Sequence, residues 1–85
     1  MTWHLPSHIT FTQTSTGAVL LDTRRGRYWQ MNDTAALVIR HLTEEEGVES
    51  ALADLRERYP EAAGDLAADV HRMLEKLEAA ELVVR

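Results

Sequence analysis

The sequence predicts an α+β domain in which a three-stranded antiparallel sheet precedes three α-helices. The composition changes at Asn32, from Thr, aromatic and β-branched residues before it to Ala, Leu and Glu after it. Before this position polar and apolar residues alternate, and after it apolar residues recur every three or four positions. The segments before Asn32 are short and separated by turn residues, so we expect hairpins between the strands.

Three strands account for the first part of the chain. Residues 8–14 alternate between polar and apolar, as in a strand with one covered face, and residues 15–17 form a turn. Residues 19–21 and 27–31 carry the β-branched and aromatic bias of strands. The turn between them, residues 22–26, ends in a glycine that we expect at positive φ. We expect the third strand to lie at an edge of the sheet.

The third strand leads into the first helix almost without a loop. Asn32 or Asp33 can accept hydrogen bonds from the free N–H groups of the first helical turn. On the strand itself, Tyr28 and Trp29 are neighbours and therefore point to opposite faces. We expect at least one of these two aromatic side chains in the core, and the alternation does not say which.

Three amphipathic helices follow the sheet. The first ends at residues 43–47, the second is stopped by Pro60, and the third begins near Ala63 or Asp65 and extends to about Ala80. The apolar stripe of the first helix contains Ala35, Val38, Ile39 and Leu42. That of the second contains Val48, Leu52, Leu55 and Tyr59. That of the third contains Leu66, Val70, Met73, Leu74 and Leu77. The third stripe is wide for a helix that buries one face, which leaves apolar surface for a second contact.

The composition limits the class of protein. With 85 residues we expect a single domain, residues 1–85, with an ordered core from about residue 8 to residue 84 that includes the strand-like tail 82–84. The chain contains no Cys, which excludes disulfides and thiolate chemistry. It has no apolar stretch long enough to cross a membrane, and its N-terminus lacks the order of a secretion signal. We expect a cytoplasmic monomer that does not bind membranes.

Residues with catalytic potential are sparse. His4 and His8 have a spacing that binds metal on a helix, but Pro6 between them disfavours a helix. We expect His41 and His71 to be solvated or close to helix ends. No serine stands in a nucleophile motif, and the glycines are scattered singly, so the sequence has no phosphate-binding loop. We therefore expect a non-catalytic protein without metal or cofactor.

The same order of elements also describes a winged helix-turn-helix, a fold whose usual ligand is DNA. From Asp65 to Glu81 the third helix carries five acidic and two basic residues, a net charge of −3, within a chain of formal net charge −5. In a DNA groove those carboxylates would face phosphates. A basic cluster of Arg24, Arg25 and Arg27 at the hairpin is either a solvated turn or a wing. A DNA-binding regulator is thus the alternative function, although the charge leads us to expect no nucleic acid.

Three stretches of the chain resemble the core signature of the PqqD-like family of precursor-recognition elements for ribosomally made, modified peptides. They are residues 19–22, 26–32 and 34–39, which read VLLD, GRYWQMN and TAALVI. The resemblance extends from about Ile9 to Val84 and is strongest at the junction of the hairpin and the first helix. Many relatives carry Trp where this chain has Ile39, a difference that should alter core packing more than function.

The resemblance implies a function in peptide binding. Members of this family bind the leader segment of a precursor peptide, which adds as an antiparallel strand to the third strand and lies against the third helix. The short, acidic, free-standing form is similar to the recognition protein of lasso-peptide pathways, whose partner is a separate leader peptidase, with the ring-closing synthetase (the cyclase) acting later. The implied peptide-binding residues are Arg27, Tyr28, Trp29, Gln30, Met31, Asp69, Val70, Arg72, Met73, Leu74, Lys76 and Leu77.

These residues divide into three expected roles. The backbone of residues 27–31 would supply hydrogen bonds that do not depend on the peptide's sequence. On the third helix, Leu66, Val70 and Leu77 would face the core. Met73 or Leu74 would line the cleft. Asp69, Arg72 or Lys76 would pair with charges of the leader. Lasso-pathway leaders in this family commonly carry a Tyr-x-x-Pro signature with a following Leu, which implies an apolar, partly aromatic cleft.

Overall fold

The computed structural model describes residues 3–61 and 65–85. It contains, in order, β1 (Ile9–Thr14), β2 (Gly17–Asp22), β3 (Arg27–Asn32), α1 (Asp33–Thr43), α2 (Gly47–Arg58) and α3 (Leu66–Ala79). The predicted α+β order of three strands followed by three helices is confirmed. Of the two expected starts of the third helix, Ala63 lies outside the described residues, and Asp65 is the N-cap.

The sheet is an antiparallel meander with β2 in the centre and β1 and β3 at its edges. Leu20 of β2 lies directly opposite Phe11 of β1 and Trp29 of β3. Directly opposed residues share a face of the sheet. Because Leu20 is buried, Phe11 and Trp29 lie with it on the inner face. Leu21 and its partner Tyr28 lie on the outer face.

The turn from β2 to β3 is organised by Asp22. Its Oδ1 atom accepts hydrogen bonds from the backbone N–H groups of Arg24 (3.0 Å) and Arg25 (3.1 Å). Gly26 completes the turn with φ +65°, a left-handed conformation that glycine adopts without steric cost. The expected positive φ at this glycine is confirmed.

Side-chain caps set the starts of two helices. Of the two residues predicted to cap α1, Asn32 does so: its Oδ1 atom accepts a hydrogen bond of 2.9 Å from the N–H of Ala35. Asp65 caps α3 in the same way through the N–H of Ala68, at 3.0 Å. Because Asn32 ends β3 and also caps α1, the direction of the helix is fixed by the edge strand.

The core lies between the inner face of the sheet and the helices, and α1 contacts all three strands as well as α2 and α3. Both chain ends close it. Trp3 is buried against the core, and His4 pairs with Val84 through backbone hydrogen bonds of 2.8 and 2.9 Å. Leu82 and Val83 are buried, so the tail both packs on the core and forms a short pairing. No helix in the described ranges has the length and apolar character needed to span a membrane.

Candidate functional site

The free edge of β3 is the first component of the site. The strand pairs with β2 on one side, and no other described strand lies along its second side. Its side chains are exposed from Arg27 to Gln30, whereas Met31 is partly buried against the core. An unpaired edge presents a row of backbone N–H and C=O groups that can pair with another extended chain.

The two aromatic residues of β3 are both at the surface, so the expectation that at least one is in the core is wrong. Tyr28 is 66% exposed on the outer face, beside its partner Leu21, which is also exposed. Trp29 is 44% exposed although it is on the inner face opposite Leu20. The reason is its place on an edge strand, where the core covers only the side toward β2. Trp29 therefore presents a large apolar surface along the free edge.

One flank of α3 is occupied by the N-terminal segment. The rings of Trp3 and His71 meet edge to face with centroids 6.4 Å apart, and the segment then runs beside β1. Met73 lies on the opposite flank of α3, because two residues correspond to roughly half a helical turn. Asp69 and Lys76 share this flank, four residues before and three residues after Met73. Because the N-terminal segment runs beside β1, at the other edge of the sheet, we expect the Met73 flank to face β3, and we call the space between them the β3–α3 cleft.

The apolar residues of α3 differ in how much surface they can offer. Met73 is partly buried and packs against the core from the cleft side. Leu74, the other residue expected at the rim of a cleft, is fully enclosed. It lies about 100° around the helix from Met73, towards the flank that the N-terminal segment covers. Val70 and Leu77 are buried as expected. Met73 is thus an apolar side chain of α3 with accessible surface toward the cleft, and contact of the three buried residues with a peptide stays a prediction.

The charged residues of α3 are exposed on the helix surface. Asp69 and Arg72 form an ion pair with each other, and each side chain is about two-thirds exposed. Exposed pairs of this kind are weak, because solvent screens them, so both side chains can exchange partners at low cost. Lys76 is also exposed. Their predicted pairing with charges of a peptide is compatible with these positions.

The β3–α3 cleft is closed at one end by an ion-pair network. Arg25 in the β2–β3 turn pairs with Glu81, just beyond the C-terminal end of α3. Arg25 also lies 3.8 Å from the buried carboxylate of Asp22, and Arg27 lies 3.9 Å from the same oxygen, Oδ2. This network joins the hairpin to the C-terminal end of α3 and marks one end of the cleft.

Asp22 supplies the buried charge of that network. Burial raises the pKa of its carboxyl, but backbone hydrogen bonds from Arg25 and Arg24, with the charge of His8, outweigh this effect. The pKa of Asp22 is therefore lowered overall, and the side chain is an anion at neutral pH. As an anion it attracts Arg25 and Arg27 to the hairpin end of the cleft.

His41 lies in the last turn of α1, so its expected place near a helix end is confirmed, but it is buried rather than solvated. Its Nε2 atom lies 2.9 Å from Oδ2 of Asp54, and its Nδ1 atom lies 2.9 Å from Oε1 of Glu46. Hydrogen bonds with His41 and then Arg58 lower the pKa of Asp54. This cluster joins α1 to α2 away from the cleft. No group of three or more potential metal ligands occurs in the described part of the chain.

The fold and the site together define the class of protein. It is a winged-helix-like α+β domain with one sheet edge left open beside its last helix. A sequence profile of the family described as Coenzyme PQQ synthesis protein D (PqqD) matches residues 17–83, which include β2, β3 and all three helices. The chain belongs to this PqqD family. No curated protein sequence matches it.

The fold is also similar to that of a solved structure described as "Lasso peptide synthetase B1 complexed with the leader peptide". The two chains are 28% identical, the TM-score is 0.80, and the similarity covers 100% of both. The likeness thus includes the N-terminal segment and β1, which the family profile does not reach.

Proposed function

We propose that this protein binds the leader segment of a ribosomally synthesised, lasso-type precursor peptide in the β3–α3 cleft. The observation that carries the proposal is the unpaired edge of β3, with the half-exposed Trp29 on its inner face. Membership of the PqqD family and the likeness to a synthetase component in complex with a leader peptide support it.

The proposed binding mode is β-augmentation. An extended leader adds as an antiparallel strand to β3, and its backbone hydrogen bonds contribute affinity that does not depend on side chains. Alternate leader residues then face the cleft, where Trp29 and Met31 form one wall and Met73 the other. Two thioethers and an indole make an apolar, adaptable surface, which suits apolar leader side chains.

The role that follows is presentation rather than catalysis. Held along β3, the leader is kept extended, and the part of the precursor outside the cleft is accessible to other proteins. We propose that the separate leader peptidase acts on this complex and the ring-closing synthetase acts later. Because the precursor is made on ribosomes, we place the binding in the cytoplasm, with the protein acting as a monomer.

DNA binding fits the charges of the structure less well. A winged-helix regulator would present a basic helix to phosphates, whereas α3 exposes Asp69 and Glu75. Duplex binding that weakens steeply with salt would support that alternative. The leader proposal predicts no such binding by this acidic chain.

The proposal is tested by fluorescence anisotropy with a labelled leader from the precursor gene beside the protein's own gene. Saturable binding is expected, with a dissociation constant at or below about 10 μM. A scrambled leader of the same composition is the control and should bind at least tenfold more weakly, roughly. Absence of saturation up to about 100 μM would contradict the proposed function.

A further inference from the structure

Arg27 lies at the hairpin end of the β3–α3 cleft. It shares the inner face of β3 with Trp29 and Met31, because residues two apart on a strand point to the same side. Its side chain is 52% exposed. A peptide strand added to β3 would place one of its inward-facing side chains directly beside Arg27.

The guanidinium of Arg27 is oriented by charge but makes no hydrogen bond to the acid beside it. Its Nη2 atom is 3.9 Å from Oδ2 of Asp22, and that oxygen has no hydrogen-bond partner. Asp22 uses its other oxygen for the backbone N–H groups of Arg24 and Arg25. The planar set of donors on Arg27, which suits a carboxylate, therefore stays available to a ligand.

Arg58 and Arg72 are engaged more closely than Arg27. The Nε atom of Arg58 donates a hydrogen bond of 2.7 Å to Asp54, and Arg72 is hydrogen-bonded to Asp69. Both pairs are local, joining residues three or four apart on a helix. Arg27 differs from them because its neighbouring carboxylate is too far away for a hydrogen bond and its position borders the cleft.

The hairpin end of the cleft holds three arginines on an acidic protein, and Asp22 and Glu81 offset part of their charge. Arg24, Arg25 and Arg27 are three of the nine basic residues, and the other six are outnumbered by fourteen acidic residues. An acidic side chain of a ligand is therefore repelled less at this corner than over most of the remaining surface.

We infer that Arg27 is a specificity-determining residue that selects an Asp or Glu side chain in the docked leader. The inference rests on the proposed function, and antiparallel pairing, the more stable arrangement, sets the order of residues. Along the leader, an apolar residue opposite Met31 is followed two residues later by one opposite Trp29. The acid opposite Arg27 comes two residues later again. A carboxylate there receives charge-assisted hydrogen bonds from Arg27, and its loss should weaken binding about tenfold.

The test is selection of a random 12-residue peptide library, displayed on phage, against four immobilised proteins: wild type, Arg27→Gln, Arg27→Lys and Arg24→Gln. Arg24→Gln is the matched control, because it removes the same charge three residues away in the exposed turn. Circular dichroism establishes that each variant is folded. The Lys variant keeps the charge and should retain a weaker preference for acid if Arg27 acts directly on the peptide.

The wild-type protein and Arg24→Gln should enrich peptides with two apolar residues two apart and an Asp or Glu two residues further on. Arg27→Gln should keep the apolar pair and lose the acid. In a synthetic winning peptide, Glu→Gln should weaken binding to wild type about tenfold and leave binding to Arg27→Gln unchanged.

Two results would overturn the inference for different reasons. The acid-selecting role would be refuted if the enriched peptides lack the acid or carry it before the apolar pair. It would also be refuted if Arg27→Gln enriches the same peptides as wild type. Either result would leave the proposed function standing. Failure of every protein to enrich any peptide over bare support would contradict peptide binding itself, and this inference with it.

Discussion

Trp29 lies on the core side of the sheet and yet is almost half exposed. Its neighbour across the strand pair, Leu20, is fully buried. Substitutions at these two positions should therefore affect leader binding and stability separately. A surface that is apolar, rigid and open beside an unpaired strand is where a peptide gains most from contact with an aromatic ring.

The first prediction contrasts these two positions. Trp29→Ala should weaken leader binding by about 2 kcal/mol, as expected for an aromatic anchor, and lower the free energy of unfolding by less than about 1 kcal/mol. Leu20→Ala should lower the free energy of unfolding by about 3 kcal/mol. Anisotropy and urea denaturation measure the two effects. A Trp29→Ala protein that binds the leader as tightly as wild type would place the peptide elsewhere.

Met73 allows a second test from the helix side of the cleft. Met73→Asp should weaken leader binding by more than about 1.5 kcal/mol, because a bound peptide would desolvate the new carboxylate without a partner. Arg24→Ala should change affinity by less than about 0.5 kcal/mol, because its side chain is exposed in the turn. The test compares the affinities of the two variants for one labelled leader. The reverse ranking would favour contact with the hairpin turn rather than the cleft.

The lowered pKa of Asp54 makes stability depend on pH. Asp54 hydrogen-bonds His41 and Arg58, so the folded protein holds its carboxyl deprotonated below the usual value of 3.8. The folded state thus binds fewer protons than the unfolded state. The stabilising contribution is fully present above pH 3.8 and is lost as the pH falls through and below it.

Urea denaturation between about pH 3 and pH 7 measures this loss of stability on acidification. Asp54→Asn should be less stable than wild type at neutral pH and should lose less stability at the acidic end. Glu57→Gln, an exposed change on the same helix, is the control and should follow wild type. Equal acid dependence in wild type and Asp54→Asn would show that Asp54 is not responsible.

At the scale of elements, the end of β3 is shaped by a close approach to the start of β2. A Cβ atom at Gly17, where φ is +155°, would lie 2.0 Å from the carbonyl oxygen of Met31. At Gly26 in the turn a Cβ atom would meet nothing within 4 Å, and only the positive φ opposes a side chain. Both glycines are required, but for different reasons.

The fourth prediction follows from this difference. Gly17→Ala should lower the free energy of unfolding by more than about 2 kcal/mol, because backbone must move to relieve the clash. Gly26→Ala should lower it by about 1 kcal/mol, the cost of a left-handed conformation. Urea denaturation compares the variants. Equal losses would mean that the register of β2 and β3 near Met31 differs from the one described.

The sequence predicts the elements well because their signals are local. Alternation within the strands, the glycine of the hairpin and the cap at Asn32 all involve residues a few positions apart. The surroundings of the site depend instead on distant residues. The exposure of Trp29 follows from what covers an edge strand, and the burial of His41 follows from Asp54 on another helix. The enclosure of Leu74 follows from helix packing, so alternation and periodicity alone did not predict these three features.

At the scale of the whole molecule, the two chain ends stabilise the flank of α3 that the cleft does not use. Trp3 contacts His71 of α3, the guanidinium of Arg85 lies 4.3 Å from the centre of the Trp3 ring, and His4 pairs with Val84. This arrangement braces α3 from one side, and the pair of Arg25 with Glu81 ties it to the hairpin. The protein thus holds α3 in place while β3 stays unpaired along its edge.

Amide hydrogen exchange followed by NMR, with and without the leader, tests most directly whether the leader pairs with β3. If the leader pairs with β3, alternate amides of Arg27–Asn32 should exchange at least about tenfold more slowly when the leader is bound. The outer amides of β1, the other edge, should be unchanged. Protection of the β1 amides instead, or no new protection in β3 at a saturating leader concentration, would contradict strand addition at β3.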